Sequence, residues 1–214
     1  VTDASGINLE YDLRLLPANQ VESIEIMKGA ASTLYGSGAA TAVINITLKK
    51  AAKKTIEANG YWNLGTYNTE KKKKKEPQDY NQGFSIGGSL KKFNYLATLN
   101  STETSGMSQI AEPNENVTYE EDRFSRINYL AKMGYKATDK LTLDFFGSYD
   151  KINNDYDGSF DNTGKNDITQ NQSDSKQFRA GFLPKYKYNN GEFVLNSSYN
   201  SIQRLYNELD TYSQ

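Results

Sequence analysis

The chain has 214 residues, a formal charge of −1, and neither cysteine nor histidine. A charge so near zero supplies no basic field for nucleic acid. The two missing residue types remove disulfides, thiolate metal sites, Cys or His nucleophile systems and imidazole acid–base chemistry.

The N-terminal "VTDASGINLEYDL" has no basic region followed by an apolar one, so no signal peptide is expected there. Pro17 can start a short helical turn, "PANQ". "VESIEIMK" (21–28) alternates Val21, Ser23, Glu25 and Met27 against Glu22, Ile24, Ile26 and Lys28, a strand pattern with charge on both faces. Ala30–Tyr35 is a short helix candidate, and Ala42–Lys49 reads as a strand. Between them, "YGSGAAT" offers Gly36 and Gly38 in a G-x-G-x-x-G frame whose sixth place is Thr41. A dinucleotide loop needs a strand before it and a helix after it. Here the order is reversed, and no Lys-Ser/Thr pair completes a P-loop. The glycines are read as tight backbone turns. Residues 17–50 form an α/β unit too small to bury a stable core alone.

From Lys53 onward the period is two. Strands are predicted at 55–65, 80–90, 93–101, 126–136, 141–150, 177–188 and 192–200. In 126–136, Ile127, Tyr129, Ala131, Met133 and Tyr135 share one face. Arg126, Asn128, Leu130, Lys132, Gly134 and Lys136 share the other. In 141–150, Leu141, Leu143, Phe145, Gly147 and Tyr149 oppose Thr142, Asp144, Phe146, Ser148 and Asp150. Each segment is close to the ~9–11 residues that cross a bilayer at a tilt.

Connections alternate in length. "LKKF", "ATDK" and "YNNG" are tight turns, whereas long polar stretches lie near 66–79, 104–122 and 157–175. Aromatics gather toward both strand ends: Phe93, Tyr95, Tyr135, Tyr186, Tyr188 and Phe193 beside the short turns, and Trp62, Phe124, Tyr149 and Tyr199 toward the long loops. Short turns on one side, long loops on the other and two aromatic girdles describe an outer-membrane barrel. A mean hydropathy of −0.76 does not oppose this, because half of each strand avoids lipid. A soluble sheet with one wet face also alternates. The fold class expected from the residues alone is an antiparallel membrane β-barrel.

The stretch "LPANQVESIEIMKGAASTLYGSGAATAVINITLKK" closely resembles the end of the plug domain of TonB-dependent outer-membrane receptors. It departs where many members carry proline after Lys28-Gly29 (Ala30 stands here) and where "AAT" replaces a glycine-containing run. The resemblance implies part of a larger barrel with the small α/β segment inside: residues 1–52 are the C-terminal part of a plug, and 53–214 the first seven or so strands of a barrel of roughly 22. It implies a piece of a longer receptor, since no TonB box, first plug half or closing aromatic strand is seen. A Lys-, Asn- and Tyr-rich make-up suggests the Bacteroidota branch.

What the resemblance implies about function is import without chemistry. An extracellular substrate binds between plug apex and loops, and TonB draws the plug aside. No enzyme activity, catalytic residue, metal or cofactor is expected. Candidate substrate contacts are Asp3, Asn8, Glu10 and Tyr11 near the apex, and Tyr119, Tyr156 and Phe160 in the long loops. Glu22, Glu25, Lys28, Gly29, Tyr35, Gly36 and Gly38 carry the plug signature and contacts with the barrel. Expected partners are TonB, outer-membrane lipid or lipopolysaccharide, the remainder of the receptor, a surface lipoprotein and the imported substrate. That substrate stays open among siderophore, cobalamin, glycan and peptide. "EKKKKKE" (70–76) is read as a solvated loop or a contact for lipopolysaccharide phosphates. The acidic stretch 155–167 lacks the frame of an EF-hand, so a polar loop is expected over a Ca²⁺ site. The alternatives are a plugless porin or adhesin and a soluble β-rich carbohydrate-binding module.

Overall fold

The computed structural model describes residues 16, 20–29, 42–51, 54–66, 77–105, 121–157, 160–161, 164–165 and 171–207. The short helix and glycine turn expected over 30–41 lie outside them.

Strands β1 (Val21–Lys28) and β2 (Ala42–Leu48) pair antiparallel, from Val21 opposite Leu48 to Lys28 opposite Ala42. Gln20 closes this pair, its carbonyl accepting from the Lys49 N–H at 2.8 Å. A second sheet holds β3 (Glu57–Gly65), β4 (Asp79–Leu90), β5 (Phe93–Thr104), β6 (Phe124–Lys136) and β7 (Leu141–Asp155). After a two-residue pair, β8 (Phe160–Asp161) and β9 (Gly164–Lys165), the sheet continues with β10 (Gln172–Tyr188), β11 (Gly191–Val194) and β12 (Ser197–Asn207). Every neighbour is antiparallel and follows in chain order, β8 and β9 aside.

β11 and β12 are one strand with a local break. Both pair with β10 in one register, Lys185 opposite Val194 and Phe182 opposite Ser197. The gap falls opposite Pro184, which has no N–H for the ladder; its carbonyl still accepts from Leu195 at 3.1 Å. Counted so, the wall has seven strands among the described residues, the number that the period-two pattern leads one to expect.

Three short turns join strands on one side. At Lys91-Lys92 the chain reverses in two residues, and Lys91 takes φ 49°, the left-handed conformation such turns require. At 137–140, Thr138 Oγ1 accepts from the Lys140 and Leu141 amides at 3.2 and 3.0 Å. Lys136 pairs with exposed Asp139 at 3.0 Å, and that hydrogen bond, with the lysine's charge, holds the carboxyl below the usual carboxylate range.

On the opposite side the strands run further than predicted. β7 continues to Asp155 and β10 begins at Gln172, so the third long loop is shorter than the expected 157–175 and contains β8 and β9.

The polarity of the wall is inverted relative to a soluble sheet. Among the described residues the buried hydrophobics are Leu96, Leu130 and Ile152, while Asn100, Asn128, Ser148, Asp150, Ser173, Ser175 and Gln177 are buried polar groups of the wall's inner face. Phe84, Leu99, Tyr129, Met133, Phe145, Phe178 and Tyr199 are exposed on the other face. A soluble sheet buries its apolar face; this wall turns it outward, as a lipid-facing barrel wall does. Cross-strand aromatic pairs line that face, with Tyr129 opposite Tyr149 and Phe145 opposite Phe182. The latter rings stack at 4.6 Å.

Candidate functional site

The β1–β2 pair rests on the polar face. Gln20, 1% exposed, donates from Nε2 to Thr98 Oγ1 of β5 at 3.0 Å. Lys132 of β6 donates from Nζ to the Lys49 carbonyl at 2.9 Å. Glu22 attracts the same ammonium and Lys50 opposes it. Beside these joins, toward β3 and β4, lies a cleft of about 270 Å³ lined by Lys49, Lys50, Glu57, Asn59, Thr98 and Asn100 among others.

The wall beneath is tied by side chains that period two brings to one face. Asp150 accepts from Asn128 at 2.7 Å and from Arg179 Nη2 at 2.9 Å, and Arg179 Nε donates to Ser148 Oγ at 3.0 Å. Toward β3 and β4, Tyr61 donates to Asn81 and Asn100 at 3.3 and 3.4 Å. Charges enclosed by a wall need such partners, because an uncompensated buried charge is costly. A second hollow, about 430 Å³, opens near the long-loop end beside Tyr80, Glu103, Arg123, Asp155 and Gln172.

Of the residues singled out in the sequence, Glu22 faces the wall's Lys132 electrostatically. Glu25 instead accepts from Asn45 within its own strand pair at 3.1 Å. Lys28 is exposed, and Gly29 takes φ 105°, a left-handed conformation that favours glycine. The backbone of Tyr156 donates to the Asn171 carbonyl at 3.0 Å, closing the base of the loop between β7 and β10. Phe160 lies in β8 opposite Lys165. Asp3, Asn8, Glu10, Tyr11, Tyr35, Gly36, Gly38 and Tyr119 lie outside the described residues. Among the described residues no group of three or more acidic side chains is placed to hold a metal ion. The residues that join the two sheets, Gln20, Lys49, Thr98 and Lys132, carried no contact signal in the sequence.

A family model described as the TonB-dependent Receptor Plug Domain matches residues 3–43, the stretch that includes β1 and reaches into β2. With the relatives that follow, this match supports a fragment of a TonB-dependent receptor. It is 35% identical over 79 residues to a probable TonB-dependent siderophore receptor, PirA, of Acinetobacter baumannii. Over the same length it is 37% identical to the ferric enterobactin receptor of Pseudomonas aeruginosa. Each match covers 37% of this chain and 10% of the relative. The crystal structure of a mutant ferric enterobactin receptor, PfeA, from Pseudomonas aeruginosa in complex with enterobactin superposes with a TM-score of 0.66 at 20% identity. That superposition covers 91% of this chain and 29% of PfeA, and at this identity it shows the fold alone. These relatives lend the Bacteroidota expectation no support. A TonB-dependent receptor is a barrel of the bacterial outer membrane, and the inverted wall places this chain there as part of a larger barrel.

Proposed function

We propose that this chain forms part of a receptor that binds a ferric siderophore outside the cell and admits it past the plug with energy relayed through TonB. The observation that carries the reading is the docking of β1–β2 on the polar face of the wall, through Gln20–Thr98 and Lys132–Lys49. A plug so placed obstructs the lumen, so a substrate passes only when part of the plug moves.

In this reading residues 1–52 end the plug and 53–214 contribute wall strands. The short turns face the periplasm, and the long loops form part of the substrate vestibule. Asp3, Asn8, Glu10 and Tyr11 approach the substrate from the apex, and Tyr119, Tyr156 and Phe160 stack on it from the loops. A ferric siderophore is favoured over cobalamin, glycan or peptide because the relatives matched over 79 residues are named as a probable siderophore receptor and a ferric enterobactin receptor. The cargo binds and leaves unchanged, so the protein transports and does not catalyse.

The test is uptake of radio-iron siderophore by cells carrying the complete receptor as their sole receptor of this kind. Binding should persist after the proton gradient is collapsed, whereas accumulation should stop. Accumulation in uncoupled cells would remove the TonB step, and absence of any siderophore binding would remove the substrate class.

A further inference from the structure

The outward face of β7 and β10 carries a lysine pair that the transport reading leaves unused. Lys151 and Lys176 stand directly opposite each other in the ladder. Lys176 is exposed between buried Ser175 and Gln177, and Lys151 lies between buried Asp150 and Ile152. Both side chains therefore leave the wall on its outer face. Like charges directly opposite on adjacent strands destabilise a sheet, with Cβ atoms about 5 Å apart. Among the described residues no hydrogen bond or ion pair engages either ammonium. The nearest acid in the next outward row, Asp174, is held by the Asn153 amide. Ile127 and Gln203 flank the pair on the neighbouring strands.

Height on the wall identifies the surroundings. Lys176 precedes Tyr186 by ten residues along β10, and Lys151 follows Leu141 by ten along β7. At about 3.3 Å per residue and a tilt near 40°, that climb is about 25 Å, the height of the apolar band of such barrels. The aromatic row Tyr129, Tyr149 and Phe178 lies just below the pair. Above it the outward residues are Ser125, Asn153, Asp155, Asp174 and Gln172. The two ammoniums stand where acyl chains give way to headgroups.

We propose that Lys151 and Lys176 together bind a phosphate of an outer-leaflet lipopolysaccharide molecule, whose acyl chains lie along the aromatic row beneath. A phosphate offers several acceptor oxygens and can take a charge-assisted hydrogen bond from both ammoniums at once. This relieves the like-charge pair and seals the wall against its lipid annulus. The assignment rests on the topology proposed above, with the long loops outside.

The complete receptor, purified in detergent and freed of lipid, is titrated with phosphorylated and with enzymatically dephosphorylated lipopolysaccharide, and bound copies are counted by native mass spectrometry. Wild type and the Lys151→Arg/Lys176→Arg variant should prefer the phosphorylated form. Lys151→Gln/Lys176→Gln should weaken binding by about tenfold, as expected for loss of charge-assisted contacts. Lys92→Gln, at a short turn, should not change it. Retained heat-modifiable gel mobility shows that each variant is folded. Equal binding of the two lipid forms, or undiminished binding by the Gln variant, would overturn the proposal. Displacement by millimolar inorganic phosphate would overturn the lipid assignment. Labelling of a cysteine at Asn190 by an impermeant maleimide on intact cells would instead sink the topology beneath it.

Discussion

Asp150 is fully enclosed on the wall's inner face, and each carboxylate oxygen accepts one hydrogen bond, from Asn128 and from Arg179. Arg179 is itself only 14% exposed. Removing one member of a buried pair strands the other charge, a loss of about 3–5 kcal/mol. Asp150→Ala in the complete receptor should therefore lower the temperature of its heat-modifiable gel transition clearly, and Asp150→Asn less so, because the amide oxygen still accepts. An Ala variant with the wild-type transition would show that water or a neighbour replaces the carboxylate. Gly181 illustrates a different constraint on the same face. A Cβ there would lie 2.1 Å from the ring of Phe146, its cross-strand partner. The ring covers the glycine, so Gly181→Val should displace it and destabilise the β7–β10 pair, read in the same gel transition.

At the level of the strand, alternation separates two solvents. Leu99 of β5 points outward and Thr102 inward, three residues further on. A lysine at Leu99 would enter the acyl region at a penalty of about 2–4 kcal/mol near mid-height. A lysine at Thr102 would stand on the polar face beside Arg126. Leu99→Lys should thus reduce the yield of folded receptor in the outer membrane far more than Thr102→Lys. Comparable yields from both would contradict the assignment of lipid and lumen faces. The break between β11 and β12 belongs to this level too: a proline withdraws one donor, yet the register resumes beyond it unchanged.

For the molecule as a whole, β3 and the β11–β12 strand are the edges of the wall among the described residues. Unpaired edges are not viable in lipid, so further strands of the receptor are expected to cover both. Direction follows from consecutive antiparallel pairing. With the plug end at the periplasmic side, β3 runs outward and each later strand reverses. These 214 residues hold no cysteine, so labelling of single cysteines at Asn116, Asn162 or Asn190 is read against the complete receptor without them. An impermeant maleimide on intact cells should reach the first two and spare Asn190. Labelling confined to Asn190 would invert the topology.

Much of the wall was legible from residues alone, because a period of two commits every second side chain to one face whatever the partner strand is. Arg126, Asn128, Asp150 and Arg179 each fall on the more polar face of their own strand by alternation alone. The short turns were legible for a similar local reason. The upper ends of the strands were not. Above the lipid edge, Lys151, Asn153 and Asp155 on β7 and Lys176, Asp174 and Gln172 on β10 are polar on the outward side as well. The hydrophobic alternation therefore stops while the hydrogen-bond ladder continues to Asp155 and Gln172. The seating of β1–β2 was equally hidden. Gln20 meets Thr98 across 78 residues of chain, and Lys132 meets a backbone carbonyl 83 residues away. A neutral amide, a hydroxyl and a carbonyl leave no periodic mark, and only the seating of the strand pair on the wall's polar face brings them within bonding distance.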